Sequence, residues 1–190
     1  MSREISARAA RRSARPGALA ALAAALALAA CAAPQLAPSP EPAEFELAGR
    51  FAVSYRGEAA SGSMAWRRAA GAEELLITSA LGQGVARIRR TDGEFVLSTA
   101  DDREYRAPDA ESLTEQVLGF RLPLAGLADW VRARPAPGPS RARLDGEGRL
   151  AQLEQAGWTI EYLEYVGARP ARLRLTYPGI ELRLAIAQWR

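Results

Sequence analysis

Residues 173–186, with the sequence LRLTYPGIELRLAI, decide the fold because their apolar and polar side chains alternate. Leu173 and Leu175 alternate with arginines, and the alternation resumes from Ile180 to Ile186. Successive side chains of a β-strand point to opposite faces, so a period of two is typical of strands with one dry face and one wet face. The stretch therefore predicts strands of an antiparallel sheet.

The same period extends over most of the chain from residue 45 onward. Turn residues separate the alternating stretches, and Asp92-Gly93 between two of them is typical of a tight hairpin. We expect about eleven strands, near 45–55, 60–68, 73–79, 84–91, 94–99, 103–107, 140–145, 149–156, 158–165, 171–177 and 180–189.

Two helices are predicted between residues 108 and 139. The first follows Asp109, a candidate N-cap, and ends at Gly119, a candidate C-cap. The second begins at Pro123 and stacks leucines on one side, with Trp130 beside them. Helices inserted into a long antiparallel meander predict a mainly β fold, in which a curved sheet or open barrel wraps around the helices.

The first thirty residues have the pattern of a targeting signal. Five arginines precede an uncharged run from Ala18 to Ala30, which is shorter than the roughly 20 residues that span a bilayer. The run ends in Leu28-Ala29-Ala30-Cys31, which resembles the lipobox of bacterial lipoproteins. An ordinary secretory cleavage site that happens to precede a cysteine is the alternative. The resemblance implies a lipoprotein signal peptide over residues 1–30 and lipidation of Cys31.

The segment after the cysteine predicts a spacer and a destination. Residues 31–44 contain the candidate lipidated Cys31 and four prolines, which favour an extended tether to a domain at 45–190. Ala32 stands where an aspartate would, by the same resemblance, favour retention in the inner membrane. We therefore expect a lipid-anchored protein on the periplasmic face of the outer membrane.

The composition excludes several kinds of chemistry. The sequence contains no histidine and no lysine, so Ser-His-Asp catalysis, Schiff-base chemistry and His-ligated metals are excluded. Five of the 25 basic residues and one of the 22 acidic residues precede residue 31, so the remainder has a formal charge of −1. That balance argues against a nucleic-acid partner. We expect no enzymatic activity, no metal and no cofactor.

The dry faces of the predicted strands converge on one apolar interior. A packed core and a pocket that buries an apolar ligand give the same sequence pattern, so periodicity does not distinguish them. The candidates to line an acyl-binding cavity are Met64, Trp66, Ile77, Phe95, Leu97, Trp158, Ile160 and Tyr162.

Four segments together resemble the LolB family of outer-membrane lipoproteins. They are FELAGRFAV at 45–53, LPL at 122–124 followed by Trp130, GW-x-I-x-Y at 157–162 and L-x-L-x-I-x-x-W at 182–189. They lie in the order of the family and follow the lipobox. The resemblance implies an unclosed barrel of about eleven antiparallel strands, with helices forming a lid over an apolar cavity.

The resemblance also implies a function and partners. A LolB-like protein accepts client lipoproteins from the periplasmic carrier LolA and inserts them into the inner leaflet of the outer membrane. We expect a monomer that binds the acyl chains of its clients. A structural or assembly lipoprotein, which scaffolds a protein partner without binding acyl chains, remains the alternative.

Leu81 is the remaining candidate functional residue. It lies in Ser79–Gly84, a short connection with two glycines, which is typical of a surface turn. A single loop leucine commonly folds back onto the core. The resemblance instead implies a protruding loop, in which Leu81 enters the membrane when the client is released.

This sequence departs from the family pattern in two places. The family usually has a glycine two or three residues after the helix tryptophan, where Arg132 and Ala133 stand here. The proline-rich tether replaces part of an expected N-terminal helix, so the entrance to the cavity is expected to differ in shape.

Overall fold

Alternating side chains and glycine-containing turns produce eleven strands and two helices. The computed structural model describes residues 35–36, 38, 42–91, 93–118 and 121–190. The strands are β1 (Ala43–Tyr55), β2 (Glu58–Ala69), β3 (Glu73–Thr78), β4 (Gly84–Thr91), β5 (Glu94–Thr99), β6 (Glu104–Ala107), β7 (Ser140–Leu144), β8 (Leu150–Gln155), β9 (Trp158–Val166), β10 (Arg169–Tyr177) and β11 (Ile180–Trp189). The helices are α1 (Ala110–Leu118) and α2 (Leu124–Trp130).

All strands belong to one antiparallel sheet with the order β6-β5-β4-β3-β2-β1-β11-β10-β9-β8-β7. The first and last strands of the chain, β1 and β11, pair at the centre of the sheet. The edge strands β6 and β7 do not pair with each other within the described chain, so the sheet is unclosed. The chain between these two edges carries both helices. The predicted fold class is therefore confirmed.

The predicted strands and helices agree with the observed ones, and the strand bounds differ by at most two residues. Asp109 caps α1 as predicted, because its carboxylate accepts a hydrogen bond from the Ser112 backbone N–H at 2.6 Å. This hydrogen bond and one from the Ser112 hydroxyl hold the pKa of Asp109 below its ordinary value. The predicted C-cap Gly119 and the turn residue Asp92 lie outside the described residues, as does the predicted signal peptide.

The two ends of the sheet carry different connections. We call the end where β1 begins the proximal end; the β2–β3, β4–β5 and β9–β10 connections also lie there. We call the opposite end the distal end; it carries the β1–β2, β3–β4, β5–β6 and β10–β11 connections. Neither described helix is long and apolar enough to span a membrane.

Candidate functional site

The dry face of the sheet and the two helices enclose one continuous apolar cluster. It includes side chains from both halves of the sheet, such as Trp66 of β2 and Leu173 of β10. From the helices it includes Leu113 of α1 and Trp130 of α2. One hydrophobic interior is therefore shared by strands that lie far apart in the sheet order.

The structure brings all eight candidate cavity residues into this cluster. Six are buried: Met64, Trp66, Leu97, Trp158, Ile160 and Tyr162. Ile77 and Phe95 are partly buried and pack against the same cluster. The alternation therefore identified the inward-facing side chains. Whether these residues line an acyl-binding space stays a prediction.

Polar contacts attach the end of α2 to the interior. The Trp130 Nε1–H donates to Gln155 Oε1 at 2.8 Å, and the Tyr162 hydroxyl donates to the Trp130 carbonyl at 2.9 Å. Gln155 also accepts from the Ala136 N–H at 2.9 Å and donates to the Ala136 carbonyl at 2.7 Å. Burial raises the pKa of the Tyr162 hydroxyl, which therefore stays protonated and available as a donor.

Gln155 is a site residue that sequence reasoning missed. It is one of two buried polar residues in the part of the chain that the structure describes, and it satisfies three polar groups, one on Trp130 and two on Ala136. Its position at the end of β8, directly before the Ala156-Gly157 turn, resembles that of many exposed turn-flanking residues. Only the folded structure places the C-terminal end of α2 over it.

The end of α2 also explains one departure from the family pattern. Ala133 has a φ of +54°, in the left-handed region that favours glycine. Its N–H donates to the Trp130 carbonyl at 3.0 Å, and the Arg134 N–H donates to the Asp129 carbonyl at 3.1 Å. These two hydrogen bonds form a Schellman motif, which requires a left-handed residue at this position. The position therefore favours glycine, and this chain forms the motif with alanine.

Arg132, the other departing residue, ties α2 to β1. Its guanidinium lies 5.0 Å from the centre of the Phe45 ring and 3.4 Å from the Glu44 carboxylate. It also pairs with Asp129 of α2 at 2.9 Å. The cover formed by α2 is therefore attached to β1 by this arginine and to β8 and β9 by the contacts of Trp130.

A partly buried carboxylate lies at the proximal end of the interior. The Trp66 Nε1–H donates to Glu73 Oε1 at 2.9 Å. Burial raises the pKa of Glu73 above its ordinary value, although Arg68 and Arg90 oppose this change. Within the described residues no group of acidic or cysteine side chains is arranged to hold a metal ion.

The β3–β4 loop carries the most exposed large apolar side chain of the described residues. Leu81 is 88% exposed, so it does not fold back onto the core. Hydrogen bonds within the loop fix its backbone: the Ser79 N–H donates to the Gln83 carbonyl at 2.8 Å, and the Gly82 N–H donates to the Ser79 carbonyl at 2.9 Å. Gly82 adopts a φ of +80°, which permits this tight turn. The loop therefore presents Leu81 to its surroundings at the distal end.

The fold and the site define a class of mainly β proteins, in which one unclosed antiparallel sheet shares an apolar interior with two helices. A model of the family "Outer membrane lipoprotein LolB" matches residues 43–189. Outer-membrane lipoprotein LolB of Thiobacillus denitrificans is 41% identical over 155 residues, which are 80% of this chain and 83% of that protein. LolB of Azoarcus sp. is 38% identical over 151 residues, which are 77% of this chain and 78% of that protein. The chain belongs to the LolB family.

A solved structure shows the same fold at low sequence identity. A DUF1329 family protein from Desulfovibrio piger superposes with a TM-score of 0.50 and 10% identity, covering 80% of this chain and 86% of that one. Family membership makes the protein an outer-membrane lipoprotein. It also places the chain among lipoprotein localisation factors, which are not enzymes.

Proposed function

We propose that this protein accepts lipoproteins from the periplasmic carrier LolA, holds their acyl chains in its apolar interior and inserts them into the inner leaflet of the outer membrane. The observation that carries this proposal is the way in which the two edges of the sheet are joined. Helices, rather than hydrogen-bonded strands, connect β6 to β7. The interior can therefore open without breaking the sheet.

Opening requires the loss of a few directional contacts and of the apolar packing of α2, which a bound acyl chain replaces. The cover at α2 is held by the hydrogen bonds of Trp130, by those of Gln155 and by the ion pairs of Arg132. When an acyl chain displaces the helices, the side chains beneath become the wall that covers the chain. Trp158 and Ile160 of β9 lie in this wall, close to Trp130, whose ring centre is 6.3 Å from that of Trp158.

Burial of the client's acyl chains in the interior also explains how the client is transferred without an energy source. Each buried methylene contributes about 0.8 kcal/mol, and about 1.4 kcal/mol changes an equilibrium tenfold. A cavity that covers two more methylenes than that of the donor therefore shifts transfer by about tenfold. The transfer equilibrium then follows the relative affinities of the two cavities.

In the proposed release step, the Leu81 side chain contacts the membrane. A leucine side chain that moves from water into an apolar phase contributes about 1.5–3 kcal/mol. This is too little to anchor the domain, but it is enough to orient it at the lipid surface. Because Leu81 packs against no core residues, the membrane can bind it without unfolding any part of the sheet.

Anchoring is assigned to the N-terminal segment. Residues 1–30 form the signal peptide, and Cys31 carries the lipid at the start of the tether that precedes β1. Two or more acyl chains anchor a protein stably, whereas one does not. Metabolic labelling with palmitate should mark the wild-type protein and not Cys31→Ala. Labelling that persists in Cys31→Ala would contradict this assignment.

Client transfer tests the proposed function. Cys31→Ala is expected to be a soluble periplasmic protein that removes a client lipoprotein from purified LolA, as measured by isolation of the complex. Tryptophan fluorescence should change on uptake, because Trp66 and Trp158 lie in the interior. The matched control is a client without acyl chains, which should stay unbound. If no acylated client is transferred, the protein is a scaffold and the proposal is wrong.

A further inference from the structure

Strand β2 extends beyond one of its two neighbours at the distal end of the sheet. On one side, the whole of β2 from Glu58 onward pairs with β1. On the other side, β3 pairs with β2 only from Ser63, which is aligned with Thr78. Within the described residues no strand pairs with the β3-facing side of residues 58–62, and we call this stretch the free edge of β2.

A glycine marks the point at which β3 leaves β2. The Thr78 carbonyl occupies the space that a side chain at Gly62 would need, so the two strands approach this closely only because residue 62 is glycine. The chain then turns into the β3–β4 loop, which the hydrogen bond from the Ser79 N–H to the Gln83 carbonyl closes on itself. β3 therefore does not cover the free edge.

The turn that joins β1 to β2 determines which backbone groups point toward the free edge. Residues 56–57 both have positive φ, as in a two-residue hairpin turn of type I′. The flanking Tyr55 and Glu58 then form a hydrogen-bonded pair, and such pairs recur at every second residue along β2. Ala59 and Ser61 alternate with these pairs, so their N–H and C=O groups point away from β1 and toward the free edge.

The free edge lacks the protection that the two outer edges of the sheet have. Folded proteins commonly block strand addition with short edge strands and charged side chains. β6 has four residues and carries an ion pair between Glu104 and Arg106. β7 carries Arg141 and Arg143. Residues 59–62 are instead Ala-Ala-Ser-Gly, and the first three are exposed, so their side chains leave room for another strand.

The apolar interior reaches the free edge through β1. Phe51, Val53 and Tyr55 face inward, because they are aligned with buried core residues of β11. All three are partly buried and pack against the apolar cluster. On their other side they are aligned with the free edge of β2. A ligand that leaves the interior along these side chains therefore arrives beside unpaired backbone groups.

We propose that the free edge of β2 pairs with the extended segment that directly follows the acylated cysteine of a client lipoprotein. The acyl chains lie in the interior, while the client backbone exchanges hydrogen bonds with Ala59 and Ser61. This inference rests on the proposed function, because it requires acyl chains in the interior. It adds a binding site for the polypeptide of the client, which the apolar interior does not supply.

The chemistry of the free edge favours a client over a protein partner. Hydrogen bonds between backbones do not depend on side chains, and the small side chains of residues 59–62 add little selectivity, so clients of different sequence can bind. Five residues of strand extend about 17 Å and bury too little surface to hold a second copy of this chain without further contacts. Only a client adds the burial of its acyl chains.

Hydrogen exchange of the Cys31→Ala protein tests the pairing directly. The probe is a synthetic lipopeptide, in which a short peptide of serine and lysine follows a triacylated cysteine. Palmitate, which has no peptide, is the matched ligand. The lipopeptide should slow exchange of the Ala59 and Ser61 amides by about tenfold, whereas palmitate should not. The Ala60 amide, which points toward β1, is the internal reference. If the lipopeptide binds and exchange at Ala59 and Ser61 is unchanged, the proposal is wrong.

A proline at the free edge should weaken binding of the peptide and not of the acyl chain. Ser61→Pro removes one donor from the free edge and keeps the hydrogen bonds to β1, because the Ser61 N–H points away from β1. The Kd for the lipopeptide should rise by about tenfold, and the Kd for palmitate should stay unchanged. Ser61→Thr retains the N–H and is the matched control, which should bind both ligands as the parent protein does. Equal lipopeptide affinity of folded Ser61→Pro and Ser61→Thr would overturn the proposal.

Failure of this inference is distinguishable from failure of the proposed function. If neither palmitate nor the lipopeptide binds, acyl binding itself is wrong, and the pairing falls with it. If both ligands bind and the Ala59 and Ser61 amides stay unprotected, only the pairing is wrong. Protection of these amides by LolA without a client, or by a higher concentration of the protein alone, would assign the free edge to a protein partner and overturn the proposal.

Discussion

Ile160 and Leu81 are both large apolar side chains in or beside strands, yet the first is fully buried and the second is 88% exposed. Ile160 lies in the shared interior, where its removal would leave unfilled space among neighbours from the sheet and α2. Leu81 lies in a loop whose shape depends on backbone hydrogen bonds, so the fold does not require its side chain. Substitutions in the two regions should therefore separate stability from function.

The largest expected effect on function is at Leu81. Leu81→Glu should reduce insertion of client lipoproteins into vesicles at least tenfold, because a charged side chain resists entry into lipid. The free energy of unfolding should change by less than about 0.5 kcal/mol, since the position is exposed. Leu163→Glu, on another exposed leucine, should retain insertion. Loss of uptake from LolA in Leu81→Glu would place Leu81 in the binding site instead.

The interior should respond in the opposite way. Ile160→Ala should lower the free energy of unfolding by about 2–5 kcal/mol, measured by urea denaturation of the Cys31→Ala protein. The cost depends on the cavity that the smaller side chain leaves. A loss below about 1 kcal/mol would mean that Ile160 borders space that is already unfilled. Leu81→Ala provides the comparison and should have almost no effect on stability.

The end of α2 offers a stabilising change within the cover. Ala133→Gly should raise the free energy of unfolding by about 0.5 kcal/mol, because glycine adopts the left-handed conformation without the cost that a side chain incurs. Two changes offset part of this gain: the contact of the alanine methyl group is removed, and glycine loses more backbone entropy on folding than alanine does. Ala136→Gly, at a residue without a left-handed φ, is the control and should not stabilise the protein. Destabilisation by Ala133→Gly would show that the methyl contact dominates.

The smallest effect should come from Glu73 and should depend on pH. Burial raises the pKa of Glu73 in the folded protein, so ionisation costs stability at neutral pH, and the cost disappears as pH falls below the unfolded value of 4.5. Glu73→Gln keeps an acceptor for the Trp66 Nε1–H and removes the buried charge. The variant should be slightly more stable than wild type at pH 7, with the difference vanishing in acid. A variant that is less stable at pH 7 would show that the charges of Arg68 and Arg90 dominate.

Most of the fold could be predicted from sequence because alternation is a local property of each strand. The period of two located β10 and β11 and also identified the inward-facing Trp66 and Ile160, since a strand fixes the side-chain direction residue by residue. Leu81 was harder to predict, because a loop leucine has no period. Its exposure depends on the loop hydrogen bonds, and only the structure shows that the side chain leaves the core.

Contacts between distant segments were beyond sequence reasoning. Gln155 and Trp130 are 25 residues apart in the sequence, and Arg132 pairs with Glu44, which lies 88 residues before it. Neither juxtaposition leaves a local pattern, because each depends on how the complete sheet curves and on where the connecting chain returns. The residues involved look ordinary in the sequence for this reason.

The sequence by itself determined the strands, the helices, the inward-facing side chains and the resemblance to the LolB family, because each depends on periodicity or on short motifs. The alternation left open whether the edge strands β6 and β7 pair, where the helices lie and whether Leu81 is exposed. The tertiary structure decided that the edges stay apart, that helices lie between them and that Leu81 projects from the distal end, in agreement with the family resemblance. The physical reason is that strand pairing and helix docking minimise the free energy of the whole chain, whereas alternation reports only the environment of each residue.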